Sequence, residues 1–497
     1  MTATRAVRTV AVAGLGALAA AILVMKVGVA SLAVPVGLLA LLVPLSNPRL
    51  AVGLVVGCAI LVESSTPNVL HVTTDQFHDP IPGHYGPLEL LMALAIGAVV
   101  IDAARRRRVP LRPAPFGPAI AVLSLALLVG SVVGHYAGQG FNPITEQLRP
   151  VLPLIIVPWL TVNVIRDTAD LRRAIGLIAI LTTAKVALGL IGVVTHVGAA
   201  ANGTTITYYE ATANWLALTF LMVMLASTVS RLPVERIARW AVPLVLLSLA
   251  LSLRRSFWIG AVAAAPLVLV IAAAPIGRRF LLPAAAVLAA VLWITISSGV
   301  VTDTTTPIGQ RIQSLSPSRL VANPEDRYRL DERKNVLAKI SASPFVGVGL
   351  AVPWQEQYPL SVENPGGRLY VHMAVLWFWL KLGVLGLIAY LGYMLTAIVV
   401  GIQVFRRHHD SRIRVAAAGA AAGLAGLMVV ETTATFLGTD LRMTVVVGSV
   451  VGLLSVALRQ TRSPTESSAT QEPPPANPRL RAPHPATRAR PRDRQEL

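Results

Sequence analysis

The sequence predicts an all-α fold, a polytopic membrane helical bundle of about 12 to 14 transmembrane helices. Three observations lead there. The 497 residues are 54% hydrophobic and only 13% charged, with a mean hydropathy of +0.66, too apolar for a soluble domain of that length. The apolar residues form long runs. Lys and Arg collect in the short stretches between those runs, and in alternate ones.

Fourteen apolar segments stand out, near 10–25, 27–45, 50–62, 87–104, 116–136, 150–165, 174–197, 211–230, 240–253, 256–276, 280–298, 373–404, 415–431 and 443–458. The first two are short and separated only by Lys26, and the third is marginal, which sets the lower bound on the span count. Arg5 and Arg8 before the first run resemble the charged start of a signal peptide, but no cleavage site is evident, so the run reads as an uncleaved first helix.

The net charge of +19 does not point to nucleic acid, because the basic residues punctuate the spans. With the N-terminus inside, Arg49, Arg105 to Arg108, Arg166, Arg172, Arg173, Arg231, Arg236, Arg239, Arg278, Arg279, Arg406, Arg407, Arg412 and Arg414 fall on one face. The positive-inside rule then puts both termini in the cytoplasm and a loop of about residues 299–371 outside. The chain divides accordingly into N-terminal transmembrane helices (1–298), a large extracytoplasmic loop (299–371), C-terminal transmembrane helices (372–458) and a Pro- and Arg-rich cytoplasmic tail (459–497) expected to be disordered. In the loop, Pro324 suits a first turn, and a helix is expected over 325–340, ended by Pro344, Gly347 and Gly349.

The lone Cys58 excludes an intramolecular disulfide and a cysteine metal site. His71, Asp75, His78, Asp79 and His84 cluster in the stretch 63–86, but their spacing fits no standard zinc pattern, and a solvated polar loop is the better reading. No metal and no cofactor is expected.

Arg254 and Arg255 interrupt an apolar stretch from Trp240 to Ile276. The fifteen residues from Arg239 to Arg254 rise only ~22 Å against a hydrocarbon core of ~30 Å, which would sink the pair below the outer membrane surface. Cationic charge there costs ~2.5 to 3.5 kcal/mol per side chain, so an anionic partner, such as a lipid-linked pyrophosphate, or a water-filled cavity is expected. The alternative is an outer turn whose arginines reach up to lipid headgroups. His372 stands where the loop enters the next apolar run. There it is either a general base, since an imidazole takes a proton near neutral pH, or an interfacial anchor of a helix end.

From Arg329 to Tyr390 the order of features is an arginine, a helical stretch, a proline followed by GVG, a histidine, and a helix with a turn at Gly383 to Gly386. RSFW begins at Arg255, and ANWLA holds Asn214. Together, over about residues 200–460, these resemble the O-antigen ligase and O-antigen polymerase family of bacterial membrane glycosyltransferases. The resemblance implies a GT-C-like helical fold in the bacterial plasma membrane. It also implies transfer of a glycan from a polyprenyl-pyrophosphate (undecaprenyl-type) carrier to a hydroxyl on a lipid or glycan acceptor, outside the membrane and without a metal. Carried onto this chain, it makes Arg255 and Arg329 a pyrophosphate clamp that Arg254 shares, Asn214 a further substrate-binding residue, and His372 the catalytic base. Three departures bear on the acceptor: Arg254 stands where serine is usual, Met373 where asparagine is common, and Lys381 at a position often acidic.

Two other function classes compete. One is a transporter or flippase of lipid-linked sugars, for which Lys185 is the best midplane charge; the other is a membrane scaffold binding partners through its loop and tail.

Overall fold

In the computed structural model, residues 44–62, 86–107, 116–194, 210–234, 236–252, 254–273, 324–360 and 367–462 are described. Apart from a 3-10 turn at Gly367–Leu369, their regular structure is α-helix throughout, with no strand among the described residues. The helices are α1 Pro48–Leu61, α2 Pro87–Arg105, α3 Gly117–Tyr136, α4 Phe141–Leu148, α5 Pro153–Val164, α6 Thr168–Val194, α7 Ala211–Ser230, α8 Arg236–Leu251, α9 Arg255–Ala272, α10 Pro324–Ala342, α11 Ala374–Arg407, α12 Ser411–Val430 and α13 Leu441–Arg462.

Among the described residues eight helices are long and apolar enough to cross a membrane, or nine if α4 and α5, bent by 53°, form one broken span. The apolar segments at 10–25 and 280–298 lie outside the described residues, as do nearly all of 27–45 and the histidine-bearing stretch His71 to His84. Helix α13 runs on to Arg462, past the expected start of the tail at Arg459.

Helix starts follow local chemistry. Asn47 caps α1 by accepting from the backbone N–H groups of Arg49 and Leu50, and Asp410 caps α12 through those of Arg412 and Ile413. Helix α12, read from SRIRVAAAGAAAGLAGLMVV, is rich in small residues, so neighbours approach its backbone closely. A Cβ on Gly423 would lie 2.2 Å from Oγ1 of Thr219 on α7, and one on Gly426 would lie 2.9 Å from the carbonyl of Gly260 on α9. Trp215 of α7 donates its indole N–H to the Gly423 carbonyl at 2.9 Å. This seam sets the starts of α7 and α9 beside the end of α12.

The two ends of the bundle differ in charge pattern. At one end Arg49 pairs with Asp170 at 2.6 Å, Arg166 with Asp102 at 2.9 Å, and Arg172 with Asp410 at 3.5 Å. The opposite end carries the starts of α7, α9, α11 and α13 and the whole of α10.

Helix α11 breaks at Gly383, whose φ of 66° and ψ of −164° are open to glycine. Into the break runs the chain after α10: the N–H of Val348 donates to Leu380 O at 2.8 Å, that of Gly349 to Lys381 O at 3.2 Å, and that of Leu350 to Gly130 O on α3 at 2.9 Å. The GVG motif is therefore wedged between two spans. Gly349, at φ +90°, has room for no side chain, since a Cβ would fall 2.3 Å from the backbone nitrogen of Gly134. Gly349→Ala is expected to destabilise the protein by at least ~2 kcal/mol, from the left-handed backbone and the overpacking together. A lowered melting temperature in detergent, relative to alanine at an exposed, unstrained glycine such as Gly117, checks this.

Candidate active site

Arg254 and Arg255 occupy the turn between α8 and α9, with Arg254 the N-cap of α9. The turn matches one of the two sequence alternatives, but the Arg255 head does not extend into the open. Its Nη2 donates to both oxygens of Asp326 on α10, at 3.0 and 2.8 Å, and both side chains are about one-eighth exposed. The anionic partner that burial demanded is thus, in part, a carboxylate of the chain itself. Arg254 lies over the Phe436 ring at 5.7 Å.

One turn along α10, Arg329 reaches Asp326 at 4.0 Å and is 38% exposed, so part of the side chain is open to solvent or ligand. A further turn along stands Glu332, fully buried. Asp326, Arg329 and Glu332 recur every three residues and share one face of α10. His372 meets that face: its Nδ1 lies 3.1 and 3.0 Å from the two Glu332 oxygens, and its backbone N–H donates to Oε2 at 3.0 Å. Tyr370 and Tyr328 stand edge-on to the imidazole, with centroids 4.6 and 5.5 Å away. Burial, then Glu332 and Glu431, push the Tyr370 hydroxyl up to about 12 against the opposing charges of Arg329 and Arg254, so it remains a donor at neutral pH.

Asn335 anchors α10 from behind. It is fully buried, its Oδ1 accepts from the backbone N–H groups of Gln357 and Tyr358 at 2.6 and 2.7 Å, and its Nδ2 donates to the Tyr358 carbonyl. Trp354 ties the following chain to the His372 segment, through its own N–H to Arg368 O and its indole N–H to Tyr370 O, both at 3.0 Å.

Asn214 lies elsewhere, in the first turn of α7. It is buried, and its amide donates to the Glu210 carbonyl at 2.9 Å. Glu210 belongs to a second buried charge group, with Arg442 at 2.9 Å and Lys185 at 3.8 Å. Burial would raise the Glu210 carboxyl, but Arg442 and Lys185 together hold it below the usual carboxylate range. The charge of Arg254 acts on both Glu210 and Tyr370, which links the two groups electrostatically.

Lys185, within α6, donates to the Leu61 carbonyl at the end of α1 and pairs with Glu210, the N-cap of α7. Lys381, one of the sequence departures, is buried in α11 and donates to the carbonyl of Val352. It supports the wedged loop. No group of three or more His, Cys, Asp or Glu side chains among the described residues is placed to hold a metal ion.

Asp326, Glu332 and Asn335 were not singled out from the sequence. In DRYRLDERKNVL they lie among many charged and polar residues, and nothing local sets them apart.

The described residues are those of an all-helical, multi-pass membrane protein in which arginines and a carboxylate-held histidine gather along one helix, α10. Residues 240–391 match the family model described as O-antigen ligase, and the chain carries a domain of that family. The match spans Arg254, Arg255, Arg329 and His372 and leaves Asn214 outside. No curated protein matches the chain.

Proposed function

We propose that the chain is a membrane glycosyltransferase of the ligase or polymerase type. It moves a glycan from an undecaprenyl-type pyrophosphate carrier to a hydroxyl acceptor on the extracytoplasmic face, with both termini in the cytoplasm. The observation that carries this reading is that α10 supplies Arg329 and, through Asp326 and Glu332, holds Arg255 and His372 beside it.

The chemistry follows from the side chains. Cleavage of the bond from the anomeric carbon to phosphate oxygen leaves its electron pair, and hence negative charge, on the departing diphosphate. Guanidinium groups of Arg255 and Arg329, shared by Arg254, stabilise that charge in a site of low dielectric. Arginine stays charged there, where a buried lysine would lose its proton. His372 accepts the proton of the acceptor hydroxyl while its oxygen bonds to the anomeric carbon. Attack opposite the leaving group inverts that carbon, and holding both substrates in place contributes by proximity.

Purified protein given labelled undecaprenyl-pyrophosphate glycan and candidate acceptors tests the reading. Transfer to an acceptor with inverted anomeric configuration supports it, and movement of intact donor across a vesicle membrane without transfer would replace it with the flippase reading. Chelation by EDTA is expected to leave the transfer rate unchanged. Activity lost to EDTA and restored by a divalent ion would instead mark a metal-dependent transferase.

A further inference from the structure

Burying an ionised carboxylate is costly unless donors surround it, and Glu332 has no solvent exposure at all. Its donors are specific. Oε2 accepts the backbone N–H of His372 at 3.0 Å, both oxygens face Nδ1 of the same residue, and Oε1 accepts from the Tyr328 hydroxyl at 3.3 Å. A carboxylate only accepts, so Nδ1 carries the hydrogen, and in the neutral ring the lone pair falls on Nε2. The edges of Tyr328 and Tyr370 fix the ring plane, at 76° and 89° to their own. The His372 side chain remains 23% exposed.

We propose that Glu332 is a positioning residue that locks His372 in the tautomer able to take the acceptor proton at Nε2. The proposal rests on the reading of His372 as the base. In the step itself the acceptor O–H proton passes to Nε2, the acceptor oxygen bonds to the anomeric carbon, and the bond from that carbon to phosphate oxygen breaks. Glu332 stays ionised opposite the imidazolium, which later returns its proton to water.

Glu332→Gln is close in shape and reverses the pattern. The backbone N–H of His372 claims the single amide oxygen, which turns the amide NH2 toward Nδ1 and makes that nitrogen an acceptor. The hydrogen then moves to Nε2, where it blocks proton uptake. Transfer by E332Q is expected to fall at least ~10²-fold with donor binding unchanged, and Glu332→Asp, which keeps a carboxylate, is expected to recover part of the rate.

Nitrogen NMR of the full-length protein, labelled with 15N in histidine and held in detergent micelles, reads the tautomer directly, with the His372 signals assigned by their loss in His372→Ala. Nδ1–H in the wild type and Nε2–H in E332Q is the expected result. The same tautomer in both proteins, or full transfer by E332Q beside an inactive His372→Ala, overturns the positioning role while leaving the base. Normal transfer by His372→Ala overturns the base reading itself.

Discussion

His372→Ala is expected to cut glycan transfer by about 10²- to 10⁴-fold, the usual contribution of a placed general base, while donor binding is retained. The separation follows from geometry. His372 hangs at the Glu332 end of α10, whereas the guanidinium groups assigned to the diphosphate gather at the Asp326 end. Six residues of helix between the two carboxylates rise ~9 Å. Removing the ring leaves Glu332 with its backbone bond to residue 372 and its contact to Tyr328, so most of the pocket keeps its hydrogen bonds. Single-turnover transfer from labelled donor, measured beside equilibrium donor binding, checks both halves. A histidine variant that transfers normally excludes the proposed role, and one that loses donor binding relocates His372 to the clamp.

Arg255→Ala is expected to weaken donor binding by about 10- to 100-fold, in line with ~1.5 to 3 kcal/mol for a hydrogen bond to a charged group. Stability suffers too. Asp326 is mostly buried, and stripping a buried ion of its partner costs up to ~3 to 5 kcal/mol, although Arg329 at 4.0 Å compensates in part. The double variant Arg255→Ala with Asp326→Asn separates the two effects. It removes the stranded charge and is expected to regain most of the lost stability without regaining donor affinity. Thermal melting and donor titration of the same preparations decide this, and affinity that recovers together with stability would show Arg255 to be a structural residue.

Much of the architecture was legible because a bilayer imposes strong rules. Apolar runs of span length and alternate basic stretches anticipated α2, α3, α6, α7, α9, α11, α12 and α13 within a few residues. The expected helix over 325–340 lies within α10, since Pro324, Pro344 and the glycines of GVG mark its limits. The arginines and the histidine stood out as charges at unlikely places. Their counter-ions did not, because Asp326 and Glu332 lie in a strongly charged segment where nothing local distinguishes a buried carboxylate from a solvated one. Asn335 was hidden for the same reason, as its partners lie 22 and 23 residues away in sequence. The break at Gly383 falls at the turn expected from Gly383 to Gly386, and the approach of Val346 and Phe345, which the sequence did not reveal, explains its backbone.

The three-residue beat of Asp326, Arg329 and Glu332 along α10 has an evolutionary corollary. Each residue of an α-helix advances the angular phase by ~100°, so one inserted or deleted position between Asp326 and Glu332 would swing one carboxylate away from its partner, Arg255 or His372. The exposed side chains between them, Arg327 and Leu330, tolerate exchange as long as the residue count is kept, which makes spacing, beside the identity of the buried residues, a quantity that selection must guard in this stretch.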